Sequence, residues 1–314
     1  MRALVTGGAG FIGSAIVDLL ISEGHDVAVV DNFATGKREN LFPDPSVRFY
    51  EMDIQDPNLA SVFVRERPEV IFHQAAQMSV KVSTDDPLHD AQVNVVGLIN
   101  TLQACATAGV RKIVFASSGA TYGNPLQLPM DEEHPQRPES PYGITKMVGE
   151  HYLNYFALDH GVQYTALRYG NVYGPRQDPH GEAGAVAIFC NHLLVGQQPV
   201  IHWDGEQTRD YVYVGDVARA NLAAATAGDG RCYCVGTGVG TSVNALYGML
   251  CQIAGTWVEP RRAPRRPGDL RAAYFDTSRA RNELGWTSSV SLREGLTATF
   301  EFFSRARASM AVAR

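Results

Sequence analysis

Apolar residues in the first half of the chain fall in short continuous runs. They cover Ala3 to Val5, Val27 to Val30, Val47 to Tyr50, Val70 to Phe72, Ile113 to Phe115 and Tyr164 to Leu167. Unbroken apolar runs of this length are the mark of strands buried on both faces, because a strand with one wet face alternates polar and apolar positions. Helical stretches such as Ser14 to Glu23 lie between the runs, and that alternation predicts an α/β fold with a doubly wound parallel sheet. After Asn171 the pattern shifts to shorter elements, with helices expected near Val186 to Val195, Val217 to Ala225, Val243 to Ile253 and Leu292 to Phe303. We therefore expect a Rossmann domain over 1–170 and a mainly separate smaller C-terminal lobe over 171–314, with some segments returning to the first domain. The stretch Glu259 to Asp269 holds Pro260, Pro264 and Pro267, each lacking a backbone donor, and is predicted to be irregular.

Composition narrows the class of protein. At 314 residues, 45% hydrophobic and 19% charged, the chain can bury a large core. A net charge of −6 supplies no positive field to draw it to nucleic acid or an anionic membrane. The four clustered arginines Arg261, Arg262, Arg265 and Arg266 lack interleaved aromatics and read as a solvated loop. Met1-Arg2 leads into an apolar run too short for a signal peptide, and no run approaches membrane-spanning length. The five cysteines, Cys105, Cys190, Cys232, Cys234 and Cys251, are odd in number and lack zinc-type spacing. Reduced buried thiols in a cytoplasmic protein, with no metal site, are expected.

Candidate chemistry begins directly after the first strand. In Thr6-Gly7-Gly8-Ala9-Gly10-Phe11-Ile12-Gly13, the glycines Gly8, Gly10 and Gly13 satisfy G-x-G-x-x-G, and Gly7, Gly10 and Gly13 satisfy G-x-x-G-x-x-G. Such a turn between a buried strand and a helix lets backbone amides approach a pyrophosphate at the helix N-terminus. Asp31 ends the second strand, eighteen residues after Gly13. A carboxylate there accepts from ribose hydroxyls and repels a 2′-phosphate, which favours NAD over NADP, although Lys37 and Arg38 follow closely.

Further along, Ser140-Pro141 reads as an N-cap followed by proline at the first helical position, which puts Tyr142 and Lys146 four apart on one helix face. A phenol must lose about 3 pKa units to act as a base near neutrality. A nearby ammonium and a cationic nicotinamide are the expected source of that shift. Ser117 and Ser118 follow the strand Ile113 to Phe115, at a sheet's carboxyl end, where ligands of open α/β folds bind. Either hydroxyl can serve the site or cap a turn.

Taken in order, Gly7-x-x-Gly10-x-x-Gly13, Ser118 and Tyr142-x-x-x-Lys146 resemble the extended short-chain dehydrogenase/reductase superfamily. Within it the chain most resembles the UDP-glucose 4-epimerase group of the NAD-dependent epimerase/dehydratase family. The likeness continues through Asp31-Asn32, Asp53-Ile54, His73-Gln74-Ala75-Ala76, Ser140-Pro141-Tyr142-Gly143, Asn171-Val172-Tyr173-Gly174-Pro175-Arg176 and Arg209-Asp210-Tyr211. The resemblance implies that Phe11, Ile12, Asn32, Asp53, Ile54, Ala75 and Ala76 join the glycine turn and Asp31 in lining an NAD site, with Tyr142 and Lys146 reaching the cofactor. Counting back four from Tyr122, it selects Ser118 over Ser117. It also points to Asn171, Val200, His202, Arg209, Arg266 and Asp269 as holding a nucleotide sugar, together with Ser118 and Tyr142, and to a homodimer through a two-helix face.

By the same resemblance, the family's dehydratases and decarboxylases place an acid just after the serine, where this chain has Gly119 and Ala120. Without that acid, hydride exchange at carbon 4 of a UDP-hexose is the expected chemistry, through a transient 4-keto sugar. Ala273 occupies the position that gates the sugar's 2-substituent, so N-acetylated sugars are expected to enter unless Tyr274 restores the barrier. Gly170 and Trp203 depart from the usual bulky and small residues. The rival readings are a UDP-glucuronate 4-epimerase, a related nucleotide-sugar dehydratase or decarboxylase, and an NAD-sensing scaffold on the same fold.

Overall fold

The computed structural model of the protein describes residues 1–41, 46–180, 184–266 and 268–312, the last four without their side chains. The apolar runs form parallel strands β1 (Arg2–Thr6), β2 (Asp26–Asp31), β3 (Arg48–Glu51), β4 (Val70–His73), β5 (Lys112–Ser118) and β6 (Gln163–Tyr169). The strands β7 (Asn171–Tyr173), β8 (Val200–His202) and β9 (Thr208–Tyr213) follow outside this sheet, and then β10 (Arg231–Val235) returns to its edge beside β6. The seven-stranded order is β10-β6-β5-β4-β1-β2-β3. Strand order reverses between β1 and β4, the point at which open α/β sheets leave a crevice at their carboxyl ends.

Successive residues of β1 feed opposite cores: Ala3 and Val5 join one apolar cluster and Leu4 the other. Helices α1 (Phe11–Ser22), α2 (Leu59–Glu66), α3 (Val80–Asp85), α4 (Pro87–Ala91), α5 (Gly97–Ala108) and α6 (Pro141–His160) connect the strands. A π-helical turn over Gln92–Val96 joins α4 to α5.

The second half adds α7 (Ala185–Val195), α8 (Val214–Ala224), α9 (Val243–Ala254), α10 (Ser278–Leu284) and α11 (Leu292–Val312). Tyr173, Phe189, Leu193, Tyr247, Leu250 and Leu296 build a separate core under α7, α9 and α11. By contrast, Val217, Ala220, Tyr233, Ala280 and Trp286 pack into the core of the parallel sheet. Short strands β11 (Gly240–Ser242), β12 (Arg261–Ala263) and β13 (Ala272–Ala273) complete the lobe, with β9 pairing β7, β11 and β13.

The expectation of an irregular stretch from Glu259 to Asp269 is corrected at its centre, where Arg261–Ala263 pair in parallel with Val200–His202. Pro260 and Pro264 sit just outside the pairing, so no ladder donor is missing, and Arg261 donates its amide to Pro199 at 2.9 Å. Pro267 lies outside the described residues.

Candidate active site

The glycine turn is built without room for side chains. Gly7 has φ +69°, and a Cβ there would lie 2.6 Å from the Ala75 amide nitrogen; one at Gly13 would lie 2.0 Å from the Gly7 carbonyl. Helix α1 opens on Gly10 as N-cap with no side-chain cap, so its first-turn amides face outward without a side-chain acceptor. That is the geometry a pyrophosphate needs, and it fits the dinucleotide expected from the sequence. Asp31 is buried at the end of β2, where Oδ2 accepts from Ala9 at 2.9 Å and Oδ1 from Phe33 at 2.7 Å. Each oxygen keeps a further lone pair for a ribose hydroxyl. Asn32 donates to Asp53 Oδ2 at 2.6 Å, which ties the ends of β2 and β3 together, and Ile54 is buried against Gly97. The Arg38 guanidinium, the group that would suit a 2′-phosphate, is paired with Glu51 at 3.0 Å and lies over Phe33 and Phe49.

Ser118, Tyr142 and Lys146 meet at the carboxyl end of β5. Ser140 caps α6 by accepting from the Gly143 amide at 3.1 Å, and Pro141 begins the helix, as its sequence predicts. Lys146 donates to the Ala116 carbonyl at 2.9 Å, and its ammonium sits 5.8 Å from the Tyr142 ring centroid. Ser118 lies within hydrogen-bonding reach of the Tyr142 phenol. Ser117 points to the other face and donates to the buried Glu150 carboxylate at 2.6 Å, so it is used up in a structural network. His73, at the end of β4, shares a 2.9 Å hydrogen bond with Thr6 at the end of β1. Burial, helped by the Lys146 charge, pushes its imidazole down to about 3.

The protein's own groups raise the Tyr142 phenol: burial pushes it up, Ser118 pulls it down, and the Asp90 carboxylate pushes it up again. Lys146 is itself lowered by burial to about 8, with Asp90 opposing the drop. The charge that most influences both groups is negative, which periodicity along α6 cannot reveal.

In the smaller lobe, β9 pairs Arg209 with Ala273 of β13, and Asn171 faces Tyr211 across β7. Arg209 donates to the Thr208 and Leu270 carbonyls at 2.9 Å, 4.0 Å from Asp269. Val200 and His202 lie on β8, where the His202 ring contacts the Pro264 carbonyl at 3.0 Å. Arg266 stands exposed, and its carbonyl accepts from the Asp269 amide at 3.2 Å.

The basic cluster is not simply solvated, because Arg265 and Arg271 lie on Trp203, 4.7 and 4.9 Å from its ring, and Arg262 donates to Asn244. Gly170 is explained by close approach of the β9 backbone. A Cβ there would lie 2.9 Å from the Asp210 carbonyl and 3.5 Å from the Phe275 ring, and one at Gly119 only 2.7 Å from that ring. Phe275 therefore fills the space beside Ser118 from the far end of the chain. Tyr274 packs against Gly240, on the strand face opposite Ala273.

These features define a dinucleotide-binding enzyme of Rossmann type with a Ser-Tyr-Lys cluster at the carboxyl end of the sheet. Residues 3–236 match the NAD dependent epimerase/dehydratase family, and the chain belongs to it. It is 47% identical over 308 residues to a UDP-glucose 4-epimerase of Mycolicibacterium smegmatis, covering 96% of this chain and 98% of that one. Among solved structures, a UDP-glucose 4-epimerase of Thermotoga maritima with UDP-glucose superposes with TM-score 0.95 at 48% identity, covering 98% of this chain and all of that one. A Thermus thermophilus UDP-glucose 4-epimerase in complex with NAD gives TM-score 0.92 at 45% identity, over 96% and 99% of the two chains.

Proposed function

We propose that this protein is an isomerase that interconverts UDP-glucose and UDP-galactose by epimerisation at carbon 4, with NAD on the Gly7 to Gly13 turn. The observation that carries the reading is the meeting of Ser118, Tyr142 and Lys146 at the carboxyl end of β5, with glycine and alanine rather than an acid at 119 and 120. Similarity to UDP-glucose 4-epimerases over nearly the whole chain supports it. The NAD held on the glycine turn would supply hydride exchange at carbon 4. Tyr142 removes the carbon-4 hydroxyl proton and gives it back, Ser118 hydrogen-bonds the sugar oxygen, and Lys146 holds positive charge beside the phenol and the nicotinamide ribose. With no acid beside Ser118 to drive elimination, the 4-keto sugar is reduced again, and when it has turned over the hydride reaches its other face and gives the 4-epimer.

Gly7, Gly10, Phe11, Ile12, Gly13, Asp31, Asn32, Asp53, Ile54, Ala75 and Ala76 hold the dinucleotide in this reading. Asn171, Val200, His202, Arg209, Arg266 and Asp269 hold the UDP moiety, and the guanidinium forks suit its diphosphate. In this reading Ala273 admits an N-acetyl group at the sugar's carbon 2, with Tyr274 turned to Gly240. We further infer a cytoplasmic homodimer. The five cysteines are free, and no helix among the described residues is long and apolar enough to cross a membrane. Helices α5 and α6 flank a groove lined by Ile99, Gln103, Tyr152 and Tyr155, beside an exposed Leu158.

The deciding experiment incubates purified protein, without added cofactor, with UDP-glucose, UDP-N-acetylglucosamine and UDP-glucuronate separately, and resolves the products. The 4-epimer of UDP-glucose is expected. Reduced cofactor accumulating in step with product would make the protein a dehydrogenase instead.

A further inference from the structure

Two buried side chains of opposite charge lie near the site, and neither has an ion pair among the described residues. Asp90, on α4, is completely buried. Its Oδ1 accepts from Gln77 at 2.7 Å and from Asn94 at 3.0 Å, and its Oδ2 accepts from the Thr145 hydroxyl at 2.9 Å. These neutral donors hydrogen-bond both oxygens and leave its charge unbalanced. Lys146, next to Thr145 on α6, is 4% exposed and bonded to one neutral carbonyl. A lone buried charge is costly unless an opposite charge offsets it. The placement is deliberate on the α4 side as well. The π-helical turn over Gln92–Val96 re-aims Asn94 so that it donates to Asp90 and to the Gln77 carbonyl and accepts from the Gln77 amide.

We propose that Asp90 is the counter-charge of Lys146, a positioning residue clamped by Thr145, Asn94 and Gln77 that keeps the ammonium charged at its post beside Tyr142. The catalytic consequence rests on the function proposed above; the pairing itself rests on the geometry. The other titratable groups facing the pair do not compete for the role. His73 on β4 is held neutral by burial, Tyr142 lies on the same helix as Lys146, and the Tyr169 phenol on β6 is pushed up to about 12 by burial. On α3, Lys81 and Asp85 pair with each other at the surface. Asp90 is correspondingly the carboxylate that biases both Tyr142 and Lys146.

The chain has four lysines, Lys37, Lys81, Lys112 and Lys146, so the proposal is tested directly on holoenzyme carrying 13Cε-lysine, with the Lys146 signal assigned by Lys146→Arg. Lys146 is expected to titrate near pH 8 in the wild type. In Asp90→Asn it is expected to titrate lower by roughly one unit or more, while Asp90→Glu, which keeps the charge, leaves it nearly in place. The alkaline limb of kcat on UDP-glucose should move down with it, costing about tenfold above pH 9 and little at pH 6. Where Asp90→Asn does not fold, the smaller neutral Asp90→Ser takes its place. A Lys146 titration unmoved by loss of the Asp90 charge overturns the proposal, even if activity falls evenly at every pH. If the wild type does not turn over UDP-glucose, the functional reading falls, and the lysine titration still decides the pairing.

Discussion

Gly13 is the most constrained position in the glycine turn, because any side chain would drive its Cβ into the Gly7 carbonyl. Its requirement was legible in sequence because a glycine spacing reports on backbone geometry that is local. Tyr142 and Lys146 were legible for the same reason: their separation of four and the Ser140-Pro141 start fix one helix face. Tyr142→Phe is expected to lower kcat on UDP-glucose by about 10²- to 10⁴-fold with a small change in KM, measured in steady state. An unchanged kcat would remove Tyr142 from proton transfer. In the proposed function, Ala273 gates the sugar's 2-substituent. Ala273→Tyr should depress turnover of UDP-N-acetylglucosamine relative to UDP-glucose by roughly 10- to 200-fold, the discrimination a single pocket contact provides. A ratio that does not move would place the gate elsewhere.

Between elements, the buried Glu150–Arg168 pair fastens α6 to β6 behind the site. Arg168 grips both carboxylate oxygens, at 2.9 and 2.6 Å, and Ser117 and Gln136 supply further hydrogen bonds. Burial pushes the Glu150 carboxyl up, but the Arg168 guanidinium and these donors outweigh it and hold it below its usual value. Its contribution to stability is therefore full above the pH where a free carboxyl titrates, about 4.3, and is lost as pH falls through the lower folded value. Glu150→Gln leaves Arg168 buried and uncompensated, so chemical denaturation at pH 7 should register a loss of roughly 3–5 kcal/mol. Below about pH 4 the gap between variant and wild type should narrow. A loss under 1 kcal/mol would show that the network is relaxed by water. Strand position alone leaves Ser117 and Ser118 equivalent; the family resemblance selects Ser118, and the strand's two faces give the physical reason: one turns to Glu150 and the other to Tyr142.

Across the whole molecule, residues far apart in the chain converge on the carboxyl end of β5. Phe275 arrives from beyond the second lobe to pack against Gly119 and Gly170. Asp210 secures that arrival, since its buried carboxylate accepts from Thr237, Gly238 and the Phe275 amide. The outward face of α6 carries Leu158 at 80% exposure and Tyr155 at 51%. Two such residues beside a groove fit the proposed subunit contact. Leu158→Glu would place a charge in that contact, and light scattering after size exclusion should then give a monomer where the wild type gives a dimer. A wild type that is already monomeric would discard the two-helix interface.

The sequence by itself determined the parallel sheet, the glycine turn, Asp31, and the pairing of Tyr142 with Lys146. Each depends on residues within a strand, a turn or a few helical turns, where spacing translates directly into geometry. Only the tertiary structure decided that Ser117 turns away to Glu150, that Arg261–Ala263 form a strand, that the Asp210 carbonyl closes the space at Gly170, and that Asp90 lies buried and bonded to Thr145, the neighbour of Lys146. Those outcomes are set by which faces of distant elements pack together, and by how burial there changes the cost of a charge. No periodicity along a single chain encodes either.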